Sequence, residues 1–255
     1  MRNTSEQKIP KVIHYCWFGT EPLPQDVIHC LNSWKKQMPG YAIVEWNTNN
    51  FDVNICAYTK QAFEAGKYAF VSDYARLYIL FNHGGVYLDS DVEALKPFDK
   101  LLVNEAFTGF ESRYLLAPWI MGSVKGHPMI RHFLDYYEGR FFTKDNGLCD
   151  LTPNTVPITE ICRQQGLVLN NTPQNIKGLQ IYPETYFCPW KPYENRACFT
   201  ENTYTNHHFA GGWFSEKQKK MRHSPLWKIA NGVRKITLRL LGIRRYMKIK
   251  EIMKL

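Results

Sequence analysis

The chain has 255 residues, 44% hydrophobic and 15% aromatic, enough to fill one substantial core and too few for two full domains. Its net charge is +9, and nine basic residues from Lys228 to Lys254 against Glu251 alone put +8 of that in residues 226–255, a concentration in one tail that speaks against a nucleic-acid partner. Seven cysteines without a CxxC pair indicate neither a disulfide framework nor a cysteine zinc site; with no signal-peptide core before Gly19 and no apolar run near the ~20 residues of a membrane span, a reducing cytoplasm is expected.

Lys11–Trp17 is a short apolar run closed by Phe18-Gly19, and it predicts a buried first strand opening into a loop. A helix is expected over Asp26–Lys36 and a strand over Tyr41–Trp46, the start of a β/α alternation that implies a mainly parallel sheet flanked by helices. The spacing of Tyr74, Leu77, Tyr78 and Phe81 predicts a helix over Ser72–Asn82, capped by Ser72 and ended by His83-Gly84-Gly85. Val86–Leu88 then reads as a buried strand that delivers Asp89-Ser90-Asp91 at its C-terminal end, where open α/β sheets place ligands. Glu105–Phe110 suits a strand and Pro128–Tyr137 a helix, whereas the Pro- and Asn-rich stretch Asn146–Trp190 suits irregular structure that builds a pocket rather than a sheet.

Two carboxylates one residue apart at a strand end form a hard-oxygen pair suited to Mg²⁺ or Mn²⁺, and a diphosphate would add oxygens to the same ion. Paired acids are more often a solvated turn, and Asp73 with Arg76, three apart on one helix face, is equally compatible with a surface ion pair. In the functional alternative Asp73 accepts from sugar hydroxyls while Arg76 orients the sugar or Asp73 itself. No Walker A, GxGxxG or HExxH pattern supports a kinase-like, dinucleotide-binding or zincin reading.

Taken together, Ser72-Asp73-x-x-Arg76 and Leu80-x-x-x-Gly84-Gly85-Val86-Tyr87-Leu88-Asp89-x-Asp91 resemble the signature of the DXD-containing glycosyltransferases of family 32. That family includes capsule and lipopolysaccharide enzymes and the yeast initiating mannosyltransferases, and is distantly similar to glucosylating clostridial toxins. Ile9–Gly19 resembles the family's first strand, and His207-His208-Phe209-Ala210-Gly211-Gly212-Trp213 its His…Trp element, with Gly212 where Ser is frequent. The resemblance implies an α/β fold of GT-A type over residues 1–225, a nucleotide-sugar donor (UDP-sugar by analogy with bacterial relatives), Mn²⁺ or Mg²⁺, and transfer with retention of configuration. It implies metal contacts from Asp91, Asp89 and His207, with His208 the less suitable neighbour, and catalytic roles for Asp73, Arg76, Asp89 and Asp91. Donor contacts are expected from His14, Tyr15 and Trp17 in the first strand, from Ser72, Asp73, Arg76, Gly85, Asp89 and Ser90, and from Trp213 closing over the donor. Glu111, Asp135 and Glu184 are acids to which the sequence assigns no role.

In residues 226–255, Leu226, Ile229, Val233, Ile236, Leu240, Ile243 and Met247 form one apolar helical stripe among basic residues. Such a basic amphipathic helix suits an anionic membrane surface, or else packs on its own domain. The expected activity is therefore transfer of a hexose or N-acetylhexosamine to a glycan or polyprenyl-linked acceptor at the inner face of the cytoplasmic membrane, in surface polysaccharide synthesis. An effector that glycosylates protein and a non-catalytic nucleotide- or sugar-binding membrane protein are the alternatives.

Overall fold

The computed structural model describes residues 7–191 and 196–210; Trp213 and the basic tail 226–255 lie outside the described residues. The chain divides into two compact units, Met1–Trp190 with Cys198–Phe209 and Lys191–Ala197 with Ala210–Leu255. The elements described below belong to the first.

The opening elements follow the hydrophobic pattern: β1 (Val12–Cys16), α1 (Gln25–Gln37) and β2 (Ala42–Trp46) lie within a residue or two of expectation. α1 buries Val27, Cys30, Leu31 and Trp34, spaced to face one way. Trp34 is fully buried and donates from Nε1 to the Val92 carbonyl at 2.7 Å, while Ser33 Oγ accepts from the Ala94 amide at 2.9 Å. This helix therefore braces the segment directly after Asp91. α2 (Ala57–Glu64), only eight residues long and without a capping side chain, is an element the sequence pattern does not announce.

The central helix, α3 (Tyr68–His83), begins a turn earlier than expected. Ser72 does not cap it; the hydroxyl lies inside the helix and donates to the Tyr68 carbonyl at 3.1 Å. Burial of Phe70 and Val71 extends the apolar face upstream, so packing rather than a cap sets the start. Gly84 ends the helix at φ +68° and ψ −167°, a region open in practice only to glycine. At Gly85, φ is +99° and a Cβ would stand 2.8 Å from the Val12 carbonyl oxygen and 2.9 Å from His14 Nε2. The glycine pair thus allows β3 (Gly85–Leu88) to run flush against β1.

Beyond β3 come β4 (Val92–Ala94), β5 (Ala106–Ser112), β6 (Leu115–Leu116), β7 (Ile120–Ser123) and α4 (Pro128–Asp135), then α5 (Thr155–Gln164), β8 (Gln174–Ile176), β9 (Leu179–Tyr182) and α6 (Glu184–Phe187). The main sheet has the order β2-β1-β3-β7-β5-β9-β8, with β6 on β5. β1 is parallel to β2 and β3, and β5 to β9, whereas β7 runs antiparallel to β3 and β5 and β8 antiparallel to β9. Five of the eight strands (β1, β2, β3, β5 and β9) point the same way, so the sheet is mixed but mainly parallel in strand direction, and it packs a core on each face, one built around α3 and the other around α1.

The stretch Asn146–Trp190 departs from expectation. It contains two helices and contributes β9 to the main sheet, paired Ala106↔Leu179 through Gly109↔Tyr182. Its strands are three and four residues long and joined through Gly178, so turn-forming residues hide them from any periodicity count. No helix among the described residues is long and apolar enough to cross a membrane.

Candidate active site

The chain turns as soon as β3 ends. The Val92 amide donates to the Asp89 carbonyl at 3.1 Å, which makes Asp89-Ser90-Asp91-Val92 a tight turn with its two acids at the first and third positions. Two more backbone bonds pin the turn: Asp89 N–H to the Trp119 carbonyl at 2.9 Å and His208 N–H to the Asp91 carbonyl at 3.1 Å. The second arises because the strand Thr205–His207 pairs antiparallel with β4, His207 opposite Val92.

That pairing sets His207 Nε2 3.1 Å from Asp91 Oδ1. Ligand-type atoms of Asp89, Asp91 and His207 all lie within 4.8 Å of one another. The imidazole is buried, its ring 4.3 Å from that of Trp119 and 4.0 Å from that of Phe209, and Nδ1 has no partner among the described residues. Burial pulls the His207 pKa down, but Asp91 first and then Asp89 and Glu111 outweigh it and leave a net upward shift.

Behind the turn lies a buried ion cluster. Arg76 Nη2 stands 2.9 Å from Asp89 Oδ1 and 3.1 Å from Asp73 Oδ1. The Tyr87 hydroxyl donates to the same Asp89 oxygen at 2.9 Å, and the guanidinium lies over the Tyr87 ring, 5.0 Å from its centre. Asn154, at the start of α5, accepts from Arg76 Nη1 at 3.5 Å and donates to the Asp73 carbonyl at 3.3 Å. Asp73 is 8% exposed and Arg76 4%, so the pair is no surface salt bridge. Burial pushes Asp73 up to about 7, opposed by Arg76 and reinforced by Asp89, and Asp89 is likewise raised by burial against the pull of Arg76. Arg76 Nε, also buried, finds no partner among the described residues.

Asp73 and Asp89 face one guanidinium and Asp91 stands beside the imidazole, a gathering of acids that suits a divalent cation. Two carboxylates and an imidazole form a donor set that Mn²⁺ accepts more readily than Mg²⁺, which prefers oxygen ligands and its own water. Since Oδ1 of Asp89 already serves Arg76 and Tyr87, a cation would meet Asp89 through Oδ2.

The remaining expected contacts divide between this edge and the interior. Ser90 is half-buried in the turn itself, and Trp17 stands half-buried at the same sheet edge, its indole donating to the Glu21 carbonyl. His14 does not join them. It is buried beneath the α3–β3 junction with Nε2 on the Gly84 carbonyl at 3.0 Å and Nδ1 accepting from Trp46 Nε1 at 3.1 Å, and burial lowers its pKa to about 4. Both ring nitrogens thus have partners within the fold. Tyr15 is buried on the α1 side, against Trp34, with its hydroxyl on Glu45. Gly85 starts β3, three residues and so roughly 10 Å from the end that carries Asp89, which makes it a packing residue. Of the unassigned acids, Asp135 forms an exposed pair with Arg131, Glu184 opens α6, and Glu111 is the last residue but one of β5, close enough to raise the His207 pKa. Tyr87, Trp119 and Asn154 are site residues that the sequence does not single out; each sits in apolar or turn-like sequence whose only local signal is for strand or cap.

Comparison with known proteins bears on this geometry. A family model, the glycosyltransferase sugar-binding region containing DXD motif, matches residues 24–108, a stretch that includes Asp73, Arg76, Asp89 and Asp91 but neither β1 nor His207. The chain is 27% identical over 179 residues to Subversion of eukaryotic traffic protein A of Legionella pneumophila, covering 55% of this chain and 27% of that one. It is 30% identical over 154 residues to inositol phosphoceramide mannosyltransferase 1 of Schizosaccharomyces pombe, covering 54% and 46%. An uncharacterized glycosyltransferase of Acanthamoeba polyphaga mimivirus is 26% identical over 205 residues, covering 74% and 77%. The chain therefore spans less than half the length of the first two. Among solved structures, the PaToxG glycosyltransferase overlaps 63% of this chain and 71% of its own at 20% identity and a TM-score of 0.46. The resemblance read from Asp73 to Asp91 is thus shared with a DXD-type family model and with proteins named as glycosyltransferases.

Proposed function

We propose, from the premise that residues 24–108 carry a DXD-type glycosyltransferase sugar-binding region, that this chain transfers a hexosyl group from a nucleoside diphosphate donor with retention of configuration, in a GT-A arrangement. The observation that carries the reading is the convergence of Asp89, Asp91 and His207 at one sheet edge, with Arg76 and Asp73 directly behind. A divalent cation, Mn²⁺ before Mg²⁺, would be held by those three residues and would offset charge developing on the departing diphosphate.

The chain's own residues do the rest. Arg76 holds Asp89 and Asp73 in fixed orientations, so neither carboxylate has to reorganise as charge moves. Asp73, beside Arg76, is placed to accept from hydroxyls of the donor sugar, and the unpaired Arg76 Nε offers a donor within the same cluster. Tyr87 keeps Asp89 from turning away, Trp119 walls the His207 ring, and Trp17 offers a ring at the same edge to the nucleoside.

The relative named as an inositol phosphoceramide mannosyltransferase favours an acceptor presented on a lipid, and it adds a mannosyl donor to the UDP-sugars already expected. The basic amphipathic sequence of 226–255 supports the same location, at an anionic membrane face. Calorimetric titration with UDP and with GDP, each with and without Mn²⁺, tests the donor site. Binding should need both the metal and Asp91. Nucleotide binding that survives Asp91→Ala unchanged would overturn the assignment, and no binding of either nucleotide would favour the non-catalytic alternative.

A further inference from the structure

Trp17, Trp34 and Trp46 each place their indole N–H on an acceptor within the fold: the Glu21 carbonyl at 3.1 Å, the Val92 carbonyl at 2.7 Å and His14 Nδ1 at 3.1 Å. Trp119 is the exception. The residue is only 3% exposed, yet Nε1 has no partner among the described residues. A buried indole normally finds an acceptor, because stripping water from an N–H without replacing the bond is costly.

This orphan donor stands beside the DXD turn. β7 pairs with β3 as far as Leu88↔Ile120, so the next step of the same register sets Trp119 beside Asp89, whose amide donates to the Trp119 carbonyl at 2.9 Å. The sheet, rather than a mobile loop, therefore fixes its position. The indole packs on the His207 ring at 4.3 Å, and His207 Nδ1 is a second buried nitrogen without a partner among the described residues. Against both rings lies half-buried Phe209, 4.0 Å from that of His207 and 6.5 Å from that of Trp119. Its φ is +52°, a left-handed backbone that a bulky side chain resists. Strain of this kind, held beside unsatisfied nitrogens, marks Phe209 as the group that gives way when a ligand enters.

We infer that Trp119 is a substrate-binding residue: with Phe209 displaced, its indole N–H donates to a phosphate oxygen of the bound nucleoside diphosphate. An indole N–H can only donate and an ionised phosphate oxygen only accepts, so the two match without a third group. A sugar hydroxyl would bring a hydrogen of its own that needs another acceptor. The inference rests on the sugar-transfer reading and adds to it one contact. Arg76 and Tyr87 belong to the α3 face of the sheet and Trp119 to the α1 face, so the diphosphate gains a donor on the side that Arg76 does not serve.

The test follows the indole proton of Trp119 by NMR in the full-length protein with isotope-labelled tryptophan. Its signal is the one missing from Trp119→Phe, and from protein in which a benzothiophene analogue, of the same shape but without the N–H, replaces that tryptophan. UDP or GDP is added with Mg²⁺, which avoids the line broadening caused by Mn²⁺. The Trp119 proton should move downfield with either nucleotide that binds, and stay in place with uridine or guanosine. The analogue and Trp119→Phe should each weaken metal-dependent nucleotide binding about tenfold or more. Phe209→Ala should speed hydrogen exchange of this indole in the nucleotide-free protein, and unchanged exchange overturns the part given to Phe209. A nucleotide that binds with the metal while the Trp119 proton stays put overturns the inference and leaves the sugar-transfer reading standing, as does full affinity in the analogue. No binding of either nucleotide overturns both.

Discussion

Two arginines in this chain are each clasped by two carboxylates. On α3, Arg76 sits 3.1 Å from Asp73 and 2.9 Å from Asp89; on α4, Arg131 sits 2.6 Å from Asp135 and also bonds Glu138. By contact distance the second cluster is the tighter. The first, however, is enclosed, with the Arg76 side chain 5% exposed against 49% for Arg131. Around Arg131 water competes for every charge, and such pairs contribute about 0–1 kcal/mol. Around Arg76 only Asp89, its side chain 27% exposed, keeps appreciable solvent, so removing the enclosed guanidinium leaves two carboxylates uncompensated, at a cost of roughly 3–5 kcal/mol. Distance alone does not rank these interactions; enclosure does, and of these two clusters the enclosed one is the one that holds the DXD turn.

The largest expected effect is therefore at Arg76. Arg76→Leu should lower the unfolding free energy by about 3–5 kcal/mol in urea titration and abolish metal-dependent nucleotide binding, and Arg76→Lys, which keeps the charge without the fork, should restore stability more than binding. His14 extends the comparison to a single buried base. Its pKa is about 4 in the fold against 6.5 in the free side chain, so the unfolded chain takes up its proton first as pH falls. This contribution to stability is complete above pH 6.5 and fades between there and about 4, by roughly 3 kcal/mol, a loss that His14→Asn should not show. Gly85→Ala ranks next, at about 2 kcal/mol or more, because the added methyl meets the Val12 carbonyl at a backbone angle that resists side chains. Tyr87→Phe should cost about 1 kcal/mol of stability and weaken Mn²⁺-dependent nucleotide binding about tenfold by freeing Asp89. Arg131→Ala should stay within about 0.5 kcal/mol; a loss approaching that of Arg76→Leu would refute the ranking by enclosure.

The sequence discloses the regions where one physical signal dominates. β1, α1, β2 and β3 announce themselves because their apolar residues run without interruption or at helical spacing, and the Gly84-Gly85 pair marks a turn that only glycine can make. Asp89 and Asp91 are legible because two charges break abruptly from the fully apolar strand that delivers them. The environment of those acids is not legible. Asn154 reaches Arg76 from α5 across 78 positions, and Trp119 meets His207 from just ahead of an antiparallel strand, β7, whose four residues carry no distinctive period. The partners of His14 are likewise hidden: nothing local in the first strand tells that Gly84 and Trp46 meet its two nitrogens. β8 and β9 are hidden by brevity, since three or four residues between turn formers give alternation no room to show.

The ladder between β4 and Thr205–His207 sets His207 against Asp91, 116 positions earlier, and this separation is also an interval of time. At about 5–20 residues per second, a growing chain that has just displayed Asp91 waits on the order of ten seconds before His207 is made. Over that interval Asp89 and Asp91 are present without their third companion, and β4 lacks the strand it pairs with. This corner is thus assembled from its oldest and its youngest parts, and a newly made chain completes the Asp89–Asp91–His207 group only once nearly all of the first unit has been synthesised.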